Sequence, residues 1–257
     1  MTEEVKQRRS LGNGAGKWVK YKLPDQSLSQ IRKFCGEVRA FHYACTAPWD
    51  EGLRLLSGKA NTNYQSRMAE FQTKFGELVD LFVAKYPELV KDAKKMHGPT
   101  YEPSDYPSQQ HLKSTFHFGV ETFPVPKPEH FTADMKDLYG HALVALTEKK
   151  IQDANADTWE RLMKPVLIMA EKLASPDAIF RDSLVENVKE MVALVPALNL
   201  TNDSKMTDAA KEIEKQLASL DPNDLRENKV TRQAVAEKAA AIAARFGGMG
   251  KRKLANN

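Results

Sequence analysis

The stretch YQSRMAEFQTKFGELVDLFVAKYPEL, Tyr64 to Leu89, decides the fold class. Its apolar residues Tyr64, Met68, Phe71, Phe75, Leu78, Phe82 and Leu89 recur mostly at steps of three and four. A strand would alternate every second residue, whereas this spacing lines one side of a helix along a near-heptad seam. The seam predicts a long helix packed lengthwise on others, with Pro87 expected to kink or restart it near Tyr86.

The same period extends in both directions. Upstream, Ile31, Phe34, Cys35, Val38, Phe41 and Cys45 form an amphipathic helix, capped by Ser27 or Ser29 and stopped by Pro48. The link PWDEGLRLLSGKAN reads as irregular. Downstream from Thr132, Met135, Leu138, Tyr139, Ala142 and Leu146 make one stripe; Leu162, Val166, Met169 and Leu173 make another, with Asp157 as its expected cap and Pro165 as a bend. Ser175, Pro176 and Asp177 form a strong helix start for a stripe through Phe180, Leu184, Met191 and Leu194 that ends at Pro196. Further helices run through Ile213 and Leu217, then through Val235, Ile242 and Phe246 to Gly247 and Gly248.

Two segments break the helical pattern. In FHFGVETFPVP, Phe116, Phe118 and Val120 alternate with His117, Gly119 and Glu121; in WVKYKL, Val19, Tyr21 and Leu23 alternate with Trp18, Lys20 and Lys22. The expectation is that they pair into one small sheet. The predicted fold is therefore mainly α, a multi-helix bundle with a small two-stranded β appendage. Its parts are a basic N-terminal arm with a strand (1–26), a helical domain with a strand near 116–125 (27–246) and a basic C-terminal tail (247–257).

The composition, 42% hydrophobic and 28% charged over 257 residues, suits a folded chain with a real core. The net charge of +4 is unevenly placed: six basic residues precede position 23, three follow position 250, and the body between them is net negative. Cys35 and Cys45 lie about 15 Å apart along one helix, too far to bridge. With no apolar leader and no run long enough to span a membrane, these features predict a cytosolic protein with no membrane contact.

The glycines of LGNGAGKWVKYK, Leu11 to Lys22, resemble a phosphate cradle but fail its requirements. The spacing from Gly12 to Gly16 is too short, Trp18 stands where a magnesium-binding hydroxyl is needed, and a strand-like segment follows where a helix should begin. A nucleic-acid contact suits these residues better. Arg8, Arg9, Lys17, Lys20, Lys22, Lys251, Arg252 and Lys253 would meet phosphates, and Trp18 and Tyr21 would stack on bases. The competing structural reading is an edge strand guarded by lysines.

Tyr101 and Tyr106 in the proline-rich loop HGPTYEPSDYPSQQ, where Ser108 is expected to cap a helical turn, are candidate partner contacts, together with Trp49. The histidines show no metal-ligand spacing; a convergence of His111 and His117 with Glu121 is the one arrangement a tight turn would permit. No catalytic signature is present, so no catalytic residue, metal or cofactor is predicted.

The runs VRAFHYACTAPWDEG, YPSQQHLKSTFHFGVETFPVP and FRDSLVENVKEMVALVPALNLT together resemble a family of bacteriophage and prophage proteins classed only as a domain of unknown function. The resemblance covers the chain from about Ile31 to Leu220 and supplies no catalytic residues. It implies expression in the cytoplasm of an infected bacterium, and it makes an ATPase of the AAA+ class a candidate partner. The expected function is a non-enzymatic helical interaction protein, an adaptor, inhibitor or assembly factor that binds a protein partner or itself. The alternatives are a nucleic-acid-binding accessory in replication or recombination, and a virion component.

Overall fold

The computed structural model describes residues 22–175 and 178–250. Among these are eight α-helices and one two-stranded antiparallel sheet, the mainly α class that the periodicities predict. In chain order they are α1 (Ser29–Cys45), β1 (Ala47–Asp50), β2 (Leu53–Leu55), α2 (Gly58–His97), α3 (Gln109–Ser114), α4 (Ala133–Ala174), α5 (Ser183–Leu198), α6 (Ser204–Ile213), α7 (Pro222–Glu227) and α8 (Lys229–Phe246). A π-helical turn, Glu214–Ala218, follows α6. No helix among the described residues is long and apolar enough to cross a membrane.

Where the sequence predicts one helical domain over 27–246, the chain divides into two units. Of the described residues, the first comprises those up to Val38 and Met68–Val120; the second comprises Arg39–Arg67 and those from Glu121 onward. Two of the three crossings fall inside helices, α1 and α2, and carry no linker signal; the third, between Val120 and Glu121, falls in irregular chain between Gly119 and Pro124.

In the first unit the seam is core. Met68, Phe71, Phe75, Val79, Phe82, Tyr86 and Ala93 are all buried, a stricter helical period than the sequence suggests, with Val79 and Tyr86 in place of Leu78 and Leu89. Phe34 meets Phe71 edge-on at 5.7 Å. α2 runs through Pro87 without interruption, because the apolar residues on both sides of the proline stay in phase on one buried face and outweigh the backbone bond it removes.

The strand expected near 116–125 does not form. Phe116 packs on Phe75 and Phe82, and Phe118 packs on Phe75, so the alternating aromatics seat on a helix without pairing to a strand. Pro124 and Pro126 come next, each lacking the N–H that a ladder needs. Of the expected partner segment only Lys22 and Leu23 are described, and neither is in a strand.

The sheet lies instead in the link that reads as irregular. Ala47 pairs with Leu55, Pro48 with Arg54 and Asp50 with Leu53, with a bulge between Pro48 and Asp50. The turn relies on Gly52 at φ +74°, a left-handed conformation that costs glycine nothing. Strands of four and three residues are too short to show convincing alternation, so the Glu51-Gly52 turn is the legible signal.

The main core of the second unit is built on the C-terminal half of α4. Trp159, Leu162, Met163, Val166, Met169 and Leu173 are buried against apolar residues of α5, α6, α7 and α8, and Trp159 stacks on Phe246 at 6.1 Å. Its indole N–H donates to Asp203 at 3.0 Å, and Asp203 also caps α6 by accepting from the N–H groups of Lys205 and Met206. The two stripes expected as separate helices belong to one helix of 42 residues, with Asp157 in its interior 3.8 Å from Arg161 and not at a cap.

The helix expected from Pro176 begins at Ser183 instead. The buried guanidinium of Arg232 donates to the carbonyls of Ser175 and Ala178 at 2.7 Å each, tying the end of α4 to α8. The Phe180 ring lies 5.3 Å from that guanidinium and 5.4 Å from the Arg226 guanidinium. α5 extends through Pro196 to Leu198.

Candidate functional site

The candidate residues separate into those absorbed by the fold and those left facing water. Arg8, Arg9, Lys17, Trp18, Lys20, Tyr21, Lys251, Arg252 and Lys253 lie outside the described residues. Lys22 pairs with Asp105 at 3.0 Å, and its carbonyl accepts the hydroxyl of Tyr106 at 2.8 Å. Tyr106 stacks on Tyr101 at 5.0 Å, nearly parallel, with the Lys94 ammonium 5.9 Å from the Tyr101 ring. The two tyrosines thus order their own loop, and Ser108 caps α3 as expected by accepting from the His111 N–H. No group of three metal-binding side chains occurs among the described residues; the His117 ring lies against the Gly119 α-carbon.

Trp49, on β1, packs at the edge of a small cluster of Ala47, Leu55 and Ala154 and lines a cavity of about 460 Å³ with His42, Arg54, Asn61 and the segment from Glu121 to Pro126. Beside this cavity is a polar cluster that no single stretch of sequence reveals. α1 ends with free carbonyls, as every helix does, and two arginines satisfy them. Arg161 donates to the carbonyls of Ala44 at 2.7 Å and Thr46 at 3.1 Å, while Arg54 donates to the Thr46 carbonyl and hydroxyl oxygens, both at 2.7 Å. The Thr46 hydroxyl in turn donates to the His42 carbonyl. His42 Nδ1 and Tyr64 Oη are hydrogen-bonded at 2.7 Å.

The electrostatics of this cluster run against activation. Burial, aided by the Arg54 charge, lowers the His42 pKa and favours the neutral ring. Burial raises the Tyr64 hydroxyl and also the Cys45 thiol, the latter despite the nearby Arg161 charge, so both groups keep their protons. Nothing in the cluster is a thiolate or phenolate ready to attack. Its arginines serve as a cap that locks α1, the hairpin and α4 together.

The uncovered surface is on the first half of α4. From Thr132 to Lys149, only Gly140, Leu143 and Thr147 are less than fully exposed, and Gly140 faces Pro128. About a third of a turn round the helix, the stripe predicted from sequence is intact but meets water: Leu138 is 72% exposed, Tyr139 52%, Leu146 51% and Met135 41%. Single exposed apolar residues are ordinary; a periodic row of them on one helix face is a candidate contact surface. Phe123, 64% exposed beside the hairpin cavity, and Tyr43 are further exposed aromatics in this unit.

No protein-family model, no curated protein and no solved structure matches this chain.

Proposed function

We propose that this protein is a non-enzymatic helical interaction protein that acts by presenting the first half of α4 to a macromolecular partner. The observation that carries this reading is the uncovered row Met135, Leu138, Tyr139 and Leu146, which continues a helix whose second half is the spine of a core. Such an apolar row, flanked by Asp134, Lys136, Asp137 and Glu148, costs solubility unless something covers it. The resemblance to phage and prophage proteins supplies the setting, an infected bacterial cell, where such a protein serves as adaptor, inhibitor or assembly factor.

The test is site-specific photo-crosslinking in bacteria that express the full chain. A photoreactive residue at Leu138 should give discrete higher-mass adducts, and the same residue at Leu81, an exposed position on α2, should not. If position 138 gives no more adduct than position 81, the reading fails.

A further inference from the structure

The uncovered face has a symmetry that the contact reading does not require. The run from Thr132 to Lys149 is about 27 Å long at the helical rise, enough for two heptads. Within it is Ala142, with Leu138 four residues before it and Leu146 four after. Tyr139 and Ala145 lie three residues to either side. A helix that meets an inverted copy of itself at Ala142 therefore sets Leu138 opposite Leu146 and the bulky Tyr139 opposite the small Ala145. The alanine at the crossing lets the two backbones come close.

The charges choose the direction. Asp134 and Lys149 are both exposed, eight residues before and seven after Ala142: Asp134 flanks the stripe beside Leu138, and Lys149 continues the stripe itself, level with Met135 of an inverted copy and within reach of its Asp134. In a parallel pair each would face its own kind. In an antiparallel pair the Asp134 of each copy meets the Lys149 of the other, and the two-fold axis makes the contact twice. The Thr132 hydroxyl and the backbone N–H groups of Asp134 and Met135 hold the Asp134 carboxyl below the usual range, so it is ionised at neutral pH. Of the neighbouring charges, Lys136 and Asp137 lie round on the far side of the helix, Glu148 lies beyond Lys149 away from the stripe, and Lys150 is paired with Asp50 at 3.4 Å.

Resting on the contact reading and naming its partner, we propose that the first half of α4 is a self-association face: two copies of this chain pair antiparallel about a two-fold axis at Ala142. The pairing joins a stripe on one copy to the same stripe on the other, a closed isologous contact that stops at the dimer. One helix pair is a small interface, so the dissociation constant is on the order of 10 µM.

Sedimentation velocity of the full chain from about 1 to 200 µM, a span chosen to bracket that constant, tests the proposal. The wild type should pass from the 28.9 kDa monomer to a dimer across that range. Leu138→Asp should stay monomeric; because Leu138 is 72% exposed, circular dichroism should show an intact fold. Lys149→Asp, which sets two acid pairs face to face, should weaken the dimer about ten-fold, and Asp134→Lys combined with Lys149→Asp should recover it to within about three-fold. A wild type that remains monomeric, a dimer indifferent to Leu138→Asp, or a double charge swap no better than the single change would each overturn the proposal. A monomeric wild type whose position 138 still crosslinks a different protein in cells removes self-pairing and leaves the contact reading standing; no adduct there removes both.

Discussion

The two halves of α4 share one backbone and one apolar period but not one fate. In the second half, Val166 and Met169 are fully buried and Leu162 and Leu173 nearly so. In the first half, the residues at equivalent spacing are mostly open to water. The difference arises from where the later helices pack. Among the described residues, α5, α6 and α8 return to the second half, whereas the first half receives little beyond the short turn at Pro128–His130. Periodicity tells which side of a helix is apolar; only the return path of the chain tells whether that side is covered. The covered half is not sealed all round, since Leu167 and Ile168 line a cavity of about 720 Å³ with Pro48 and Gly250.

The contrast is sharpest under truncation of one side chain in each half. Met169→Ala should cost about 2–5 kcal/mol, the range for emptying a filled core position, while Leu138→Ala should stay within about 0.5 kcal/mol. Urea titrations of the two variants at low protein concentration give both numbers. Equal losses would mean that the first half is as well packed as the second.

Next in size is the anchor that ties the end of α4 to α8. Arg232→Met removes the donors to the Ser175 and Ala178 carbonyls and should cost about 2–3 kcal/mol; Arg232→Lys should recover little, because an ammonium cannot span both acceptors as the planar fork does. Denaturant midpoints of the pair check this.

The exposed half can be strengthened where the buried half cannot. A methyl group on Gly140 would rest 3.6 Å from the Pro128 and Lys136 side chains, an ordinary contact, so Gly140→Ala should stabilise by about 0.5–1 kcal/mol through helix propensity. Its gain should appear as slower amide exchange across residues 133–149 more than across 158–173.

The smallest effect concerns pH. His42 has its pKa lowered in the folded state by burial and by Arg54. The unfolded chain therefore takes up the proton first as pH falls below the ordinary histidine value of about 6.5, and folded stability declines from there toward the folded-state pKa. Above about pH 6.5 the ring is neutral in both states and contributes no slope. Melting temperature measured from pH 8 to 5 should fall less steeply in His42→Gln than in the wild type. An identical slope would show that the ring is solvated.

Much of the fold is legible in the sequence because its helices are long enough for the 3.6-residue period to repeat. The seam of α2, the stripes of α4 and the cap at Ser108 all stand where the sequence puts them. Two kinds of feature escape. Alternation over five residues does not distinguish a strand from aromatics that dock on a helix, so Phe116 and Phe118 read as strand while the hairpin around Gly52 reads as a link. Helix ends fixed by distant side chains are equally hidden: nothing near Ser175 announces Arg232, and nothing near Cys45 announces Arg161. Of the candidate contacts, the stripe from Met135 to Leu146 is visible in sequence as apolar. Its exposure is not, because that depends on chain segments that fail to reach it.

Hydrogen exchange along α4 at two protein concentrations tests this account most directly. At about 1 µM, well below the expected dissociation constant, amides of 133–149 should exchange orders of magnitude faster than those of 158–173; at about 200 µM the first segment should slow several-fold and the second should not change. First-half amides as protected as the core at both concentrations would contradict it.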